Sequence, residues 1–105
     1  MYINVYHREE GPFPGKKIAI SAKIRGKTAE EMSTIKMIDK RIKKGKLDIE
    51  LCERVVIFKS GPKEWRFGLD FDSEVEAMEN LLQKDFKMTT SCFSENGILR
   101  IAFEY

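Results

Sequence analysis

Few residues of this chain could take part in acid–base or nucleophilic chemistry. His7 is the only histidine, and the two cysteines, Cys52 and Cys92, lie far apart without a CxxC spacing. A histidine base needs a partner group beside it, and one histidine with two cysteines does not make a common zinc site. We therefore expect a non-enzymatic protein with no metal and no cofactor. Both thiols are predicted to be reduced and partly buried in strands, with one disulfide between them as the alternative.

A pair of carboxylates is the other arrangement that could support chemistry. Asp70 and Asp72 flank Phe71, so both carboxylates fall on the same side of a strand end, where they could bind a divalent cation or transfer protons. The simpler interpretation is that Asp70 faces solvent and Asp72 helps to begin a helix. No GxGxxG pattern or P-loop occurs, and two prolines interrupt the glycine-flanked segment 11–15, so a phosphate loop is not predicted.

The clearest feature of the sequence is an uneven distribution of charge. Residues 16–46 contain eleven of the nineteen basic residues and three of the seventeen acidic ones, which gives this segment a net charge of +8 and the remainder −6. A dense set of lysines and arginines can bind phosphate without reading sequence. An aromatic held between prolines, such as Phe13, is a typical anchor for a partner. The predicted binding residues are Phe13, Lys23, Arg25, Lys27, Lys36, Lys40, Arg41, Lys43 and Lys44.

The positive segment is predicted to be one strand followed by one helix. Apolar alternation indicates strands at 2–7 and 17–25, which pair across the loop 11–15, with Lys23 and Arg25 on the polar side of the second strand. Thr28 and Glu31 form the capping box of a helix that ends near Gly45. The basic residues of this helix lie away from its apolar stripe, so we expect them to extend the positive surface of the strand.

The second half of the chain is predicted to contain four more strands and one helix. An unbroken apolar run in the strand 52–59 indicates a central strand, preceded by a short connection at 47–51. The alternation of Trp65, Phe67, Leu69 and Phe71 predicts an aromatic strand that faces the core. A capping box at Ser73 and Glu76 begins the second helix, and Asn96-Gly97 predicts a hairpin between the last two strands.

The predicted order is ββαββαββ in a single domain, 1–105. Two helices with one apolar stripe each are most simply placed on one face of a sheet. The predicted fold class is therefore α+β, a two-layer sandwich with an antiparallel sheet of about six strands and two helices on one face.

These features predict a binding or regulatory domain. The preferred hypothesis is an inhibitor or accessory protein that acts on a nucleic-acid-handling protein through its charge-polarised surface. The alternative is direct, sequence-independent nucleic-acid binding by the basic 16–46 face, in which case Lys40→Glu with Lys44→Glu should abolish binding. The partner is thus a protein or a nucleic acid with an acidic surface. Self-association through an edge strand, with the last strand as the candidate, is a further possibility.

Neither a membrane segment nor a secretion signal is predicted. The longest apolar run is too short for a bilayer, and the first residues lack a basic head followed by an apolar stretch, so a cytoplasmic location is expected. No motif identifies a family. In size, in its composition rich in lysine and glutamate, and in its lack of catalytic groups, the chain resembles the small accessory or inhibitor proteins that phages and mobile elements encode.

Overall fold

The computed structural model describes residues 1–8, 19–93 and 96–105, apart from the side chains of His7, Arg8, Ala19 and Phe93. The described residues form seven strands and two helices, so the predicted α+β class is confirmed. The strands are β1 (Ile3–Arg8), β2 (Ala19–Arg25), β3 (Asp48–Cys52), β4 (Val55–Ser60), β5 (Lys63–Gly68), β6 (Lys87–Phe93) and β7 (Ile98–Glu104), and the helices are α1 (Ala29–Lys43) and α2 (Asp72–Leu82).

The strands form two antiparallel sheets rather than one. One sheet has the order β1-β2-β7-β6 and the other β3-β4-β5. The predicted count was one strand short because the expected connection at 47–51 is β3, which pairs with β4 through a tight turn at Glu53. The two sheets meet where Tyr2 bridges to Gly68, whose N–H donates to the Met1 carbonyl at 3.0 Å. The outward surfaces of the two sheets are therefore neighbours.

Both helices pack on the same side of the four-stranded sheet. Ile3, Ile24 and Leu99 lie side by side in the register of this sheet and are fully buried. Helix α1 covers β2, β6 and β7, and α2 packs against β1 and β3. One apolar cluster joins the helices to both sheets. Burial of each large side chain contributes about 1.5–3 kcal/mol to the stability of the fold. This free energy determines that the apolar face of β2 points inward.

The start of α2 differs from the prediction. The helix begins at Asp72, and the Phe71 N–H donates to Glu74 Oε1 at 3.0 Å. The predicted capping box at Ser73 and Glu76 is therefore wrong. Glu74 is only 4% exposed, and its Oε2 also accepts the Val5 N–H at 2.7 Å. This carboxylate satisfies a donor on the outer edge of β1, a tertiary contact that no local pattern reveals.

The aromatic alternation predicted for residues 65–71 ends early. Phe67 and Leu69 are buried, but Phe71 is 63% exposed. The reason is that β5 ends at Gly68 and a helix begins at Asp72, so the two-residue period no longer applies at Phe71. The prediction that Phe71 belongs to the core is wrong.

The last strand is not an edge. Strand β7 lies between β2 and β6, which corrects the expectation that it offers a pairing edge. The predicted hairpin between the last two strands is confirmed, with Gly97 at φ 63 in the turn, a conformation that glycine adopts readily. In the four-stranded sheet the edge strands are β1 and β6.

Candidate functional site

The predicted binding residues are divided between two surfaces. Lys23 and Arg25 lie on the side of the four-stranded sheet opposite the helices, which we call the open face. Lys27 lies next to Arg25 in the connection from β2 to α1. The basic residues of α1 lie on the other side, because the helix packs on the core-facing side of the sheet. The single positive surface expected from the sequence is thus split, and Phe13 lies outside the described residues.

Two rows of side chains cross the open face from β1 to β6. The register places Tyr6, Ser21, Ala102 and Thr89 in one row and Asn4, Lys23, Arg100 and Ser91 in the next. Small side chains occupy the centre of the first row. The second row carries two cations side by side, with no carboxylate at any of its four positions.

Two clefts follow from this arrangement. The first has a volume of about 480 Å³ and lies over Ser21 and Ala102, with Tyr6 on one side and Thr89 and Ser91 on the other. The second, of about 490 Å³, lies farther along the same face. It is lined by Met1, Tyr2, Asn4, Arg25, Lys27 and Glu31.

Exposed tyrosines lie beside the open-face cations. Tyr6 is 42% exposed and Tyr2 is 62% exposed. The Lys23 ammonium lies 6.0 Å from the centroid of the Tyr6 ring, at the outer limit of a cation–π contact. Lys23, Arg25 and Lys27 form no ion pair with any carboxylate in the described part of the chain. The open face therefore combines unneutralised positive charge with accessible aromatic rings.

A backbone hydrogen bond fixes the end of the open face at which Arg25 and Lys27 lie. The Gly26 N–H donates to the Gly97 carbonyl at 2.8 Å, which ties the β2–α1 connection to the β6–β7 turn. A Cβ on Gly26 would lie 2.9 Å from the backbone carbon of Glu31 and 2.9 Å from the backbone nitrogen of Met32, so only glycine fits without movement of α1. Arg25 and Lys27 flank this glycine, and their backbone positions are fixed by it.

The predicted capping box of α1 is confirmed, and it also fixes the backbone of the β2–α1 connection. Thr28 Oγ1 accepts the Glu31 N–H at 3.1 Å, and Glu31 Oε1 accepts the amides of Lys27 and Thr28. These two amide donors lower the pKa of Glu31. Above the unfolded pKa, about 4.3, the ionised Glu31 carboxylate therefore stabilises the folded state. This stabilisation is lost as the pH falls through the lower pKa of Glu31 in the folded state.

The basic residues of α1 form a separate surface. Lys36, Lys40, Lys43 and Lys44 are exposed, and Arg41 is partly buried on another side of the helix. Lys43 Nζ bonds Asp39 Oδ2 at 3.0 Å, and the other oxygen of Asp39 accepts the Thr90 hydroxyl of β6. This flank of α1 therefore lies along strand β6.

The described candidate catalytic groups are Asp70, Asp72, Cys52 and Cys92, since the His7 side chain lies outside the described part of the structure. Arg54 pairs with the Asp72 carboxylate and donates to the backbone carbonyl of Asp70 at 2.6 Å, so the Asp72 carboxylate already has a cation of the protein beside it. No cluster of three or more metal-ligating side chains occurs among residues 1–8, 19–93 and 96–105. Cys52 and Cys92 are free and exposed, which corrects the prediction of partial burial. None of the described helices is long and apolar enough to cross a membrane.

Comparisons with known protein families, with curated proteins and with solved structures find no match to this chain. The site must accordingly be judged by its own chemistry. The residues that sequence reasoning missed are Tyr2, Tyr6, Asn4, Ser21 and Arg100. Their alternation was visible in the sequence, but only the pairing of β2 with both β1 and β7 places them beside Lys23.

Proposed function

We propose that this chain is a non-enzymatic binding domain that holds single-stranded nucleic acid across the open face of its four-stranded sheet. The observation that carries the proposal is a line of three cations, Lys23, Arg25 and Lys27, that pair with no carboxylate in the described part of the chain. The exposed Tyr6 ring lies beside this line. The phosphates of a nucleic acid would neutralise these cations.

Phosphate contacts would come from the cations along β2 and its connection to α1. Lys23, Arg25 and Lys27 follow one another along the sheet toward the second cleft, so a strand of phosphates can track them. Such contacts are independent of sequence and weaken with salt. The hydroxyls of Ser21, Thr89 and Ser91 provide uncharged donors along the first cleft.

Exposed bases would stack on the tyrosines. A sheet face that carries aromatic rings binds unpaired bases, because the bases of a duplex are stacked on each other and are not accessible. Tyr6 borders the first cleft and Tyr2 the second, so each cleft has one ring. This arrangement favours single strands over duplexes.

The test is fluorescence anisotropy with labelled oligothymidylate, oligouridylate and a DNA duplex at several salt concentrations. We expect both single strands to bind more tightly than the duplex. Lys23→Gln with Arg25→Gln should reduce the slope of log K against log salt by about 1.4, since each phosphate contact on a single strand contributes about 0.7. Tyr6→Leu should weaken binding by about 1–3 kcal/mol and leave the slope unchanged.

Lys59→Gln with Arg66→Gln is the matched control, because it makes the same change in net charge on the outward surface of the other sheet. Binding by this variant should stay within about twofold of the wild type, with an unchanged slope against log salt. The proposal is wrong if the wild-type chain does not bind single strands, or if both double variants lower the slope equally.

The inhibitor or accessory hypothesis needs a surface for a protein partner. The loop around Phe13 stays a prediction. The flank of α1 along β6 provides a second candidate within the described residues, and its geometry is independent of the open face.

A further inference from the structure

We propose that strand β6 and the lysine-bearing flank of α1 form a docking site for an extended, acidic segment of a partner protein, which would add to the sheet as a fifth strand. This site uses the outer edge of β6 and the α1 side of the sheet, whereas the open face lies on the opposite side and uses Thr89 and Ser91 of the same strand. It rests on the chemistry of an uncovered strand edge and on the charges beside it.

Strand β6 leaves hydrogen-bonding groups uncovered. Its inner edge pairs with β7 from Lys87 to Phe93, so alternate residues direct N–H and C=O groups away from the sheet. Within the described chain these groups have no hydrogen-bond partner. Its seven residues include only one charge, that of Lys87 at the start, and threonine, serine and cysteine follow. Such an edge readily accepts another strand.

Other strand edges in the same molecule are protected. At β1, the Glu74 carboxylate accepts the Val5 N–H and Tyr2 bridges to Gly68. Strand β3 has five residues, two of them acidic, Asp48 and Glu50. Covering groups and charges on edge strands are the usual means by which proteins avoid pairing. The lack of either device along most of β6 indicates that this edge is reserved for a partner.

The charges beside β6 select the kind of partner. Asp39 lies on the side of α1 that contacts β6 through Thr90. A turn of about 100° per residue places Lys43, Lys36 and Lys40 progressively farther around the helix in the same direction, beyond the edge of the sheet. Lys36 and Lys40 form no ion pair within the described chain. A strand added about 4.8 Å outside β6 would lie beneath these ammonium groups.

An acidic segment fits both the unpaired edge of β6 and the lysines of α1 beside it. In an extended chain every second side chain points to the same face, so alternating carboxylates would all face α1 while the backbone pairs with β6. A second copy of this chain fits less well. Antiparallel pairing of two β6 strands would place the two lysine flanks next to each other and cause repulsion.

The probe is a synthetic peptide of alternating glutamate and threonine, titrated into isotope-labelled protein and followed by amide NMR and hydrogen exchange. We expect shifts at β6 and slower exchange of alternate β6 amides. A peptide of alternating lysine and threonine should not bind. Two further glutamate peptides distinguish backbone pairing from charge attraction; one is N-methylated at its odd positions and the other at its even positions. A strand pairs with its neighbour through the N–H groups of alternate residues, so only one of these peptides should bind.

Lys36→Glu with Lys40→Glu should weaken binding of the acidic peptide about tenfold. Lys23→Glu with Arg25→Glu makes the same change in net charge and should leave peptide binding within about twofold of the wild type. The proposal is overturned if the peptide shifts α1 without protecting β6, if both N-methylated peptides bind equally, or if the chain dimerises through β6 in place of binding the peptide.

Discussion

The open face of the four-stranded sheet and the outward surface of the three-stranded sheet contain similar charged residues in opposite arrangements. On the three-stranded sheet, Lys59 lies 3.0 Å from Glu50 and 4.0 Å from Glu64, and Arg66 lies 3.3 Å from Glu64. Each cation there has a carboxylate on the same strand or the next one. On the open face the cross-strand neighbours of Lys23 are Asn4 and Arg100.

The two surfaces also differ in their aromatic residues. The aromatic side chains of the three-stranded sheet, such as Trp65 and Phe67, belong to its core-facing side. On the four-stranded sheet, Tyr6 is exposed on the same side as Lys23. Exposed ion pairs contribute at most about 1 kcal/mol each and mainly keep a surface soluble. This contrast is the reason that we propose binding at the open face and not at the neutralised surface.

The largest expected effect comes from reversing charge on the open face. Lys23→Glu with Arg25→Glu should weaken binding of oligothymidylate by more than about 100-fold, because a charged hydrogen bond contributes about 1.5–3 kcal/mol and two are lost. Lys40→Glu with Lys44→Glu changes net charge equally on α1. It should weaken binding about threefold or less, through loss of long-range attraction that salt screens beyond about 8 Å.

This expectation replaces the one drawn from the sequence, in which the helix pair abolishes binding. Anisotropy titrations of both variants at one salt concentration decide between them. If the helix pair has the larger effect, nucleic acid binds along α1 and the open face is not the site.

A smaller effect is expected from removing the Glu74 carboxylate, which bonds to β1 at one edge of the open face. Glu74→Ala should lower the free energy of unfolding by about 2–3 kcal/mol, because the buried Val5 N–H loses its acceptor. Glu76→Ala on the exposed side of the same helix is the control, with a change within about 0.5 kcal/mol. Urea unfolding with an unchanged m value measures both. Equal losses would mean that β1 is held in place without Glu74.

The sequence predicted the local features of this fold and missed the non-local ones. Alternation identified β1 and β2, and the Thr28–Glu31 capping box was confirmed. The Ser73–Glu76 box has the same spacing and was wrong, because Glu74 accepts the Phe71 N–H and the helix begins at Asp72. The register that brings Tyr6 beside Lys23 joins residues far apart in the chain, and a period of two residues does not determine it. The role of Glu74 was missed for the same reason, since its donor lies 69 residues away.

The charge count of the sequence likewise did not predict which positive residues share a surface. The net charge of residues 16–46 was correct, but a strand and a helix packed through their apolar sides direct their polar sides away from each other. Lys23 and Lys40 therefore belong to different surfaces although they are close in sequence. Amphipathic patterns specify which side of each element is polar, and packing then specifies whether two polar sides meet.

The smallest expected effect comes from freeing the cations of the three-stranded sheet. Glu50→Gln with Glu64→Gln removes the carboxylates that pair with Lys59 and Arg66. Stability should change by about 1 kcal/mol or less, because these ion pairs are exposed. Binding of oligothymidylate should rise about twofold through the added net charge alone. The decisive measurement combines this change with Lys23→Gln and Arg25→Gln. We expect binding to stay weak, since Lys59 and Arg66 line neither of the two clefts that the tyrosines border. Recovery of wild-type affinity would show that unpaired charge alone suffices and that the tyrosines of the open face are not required.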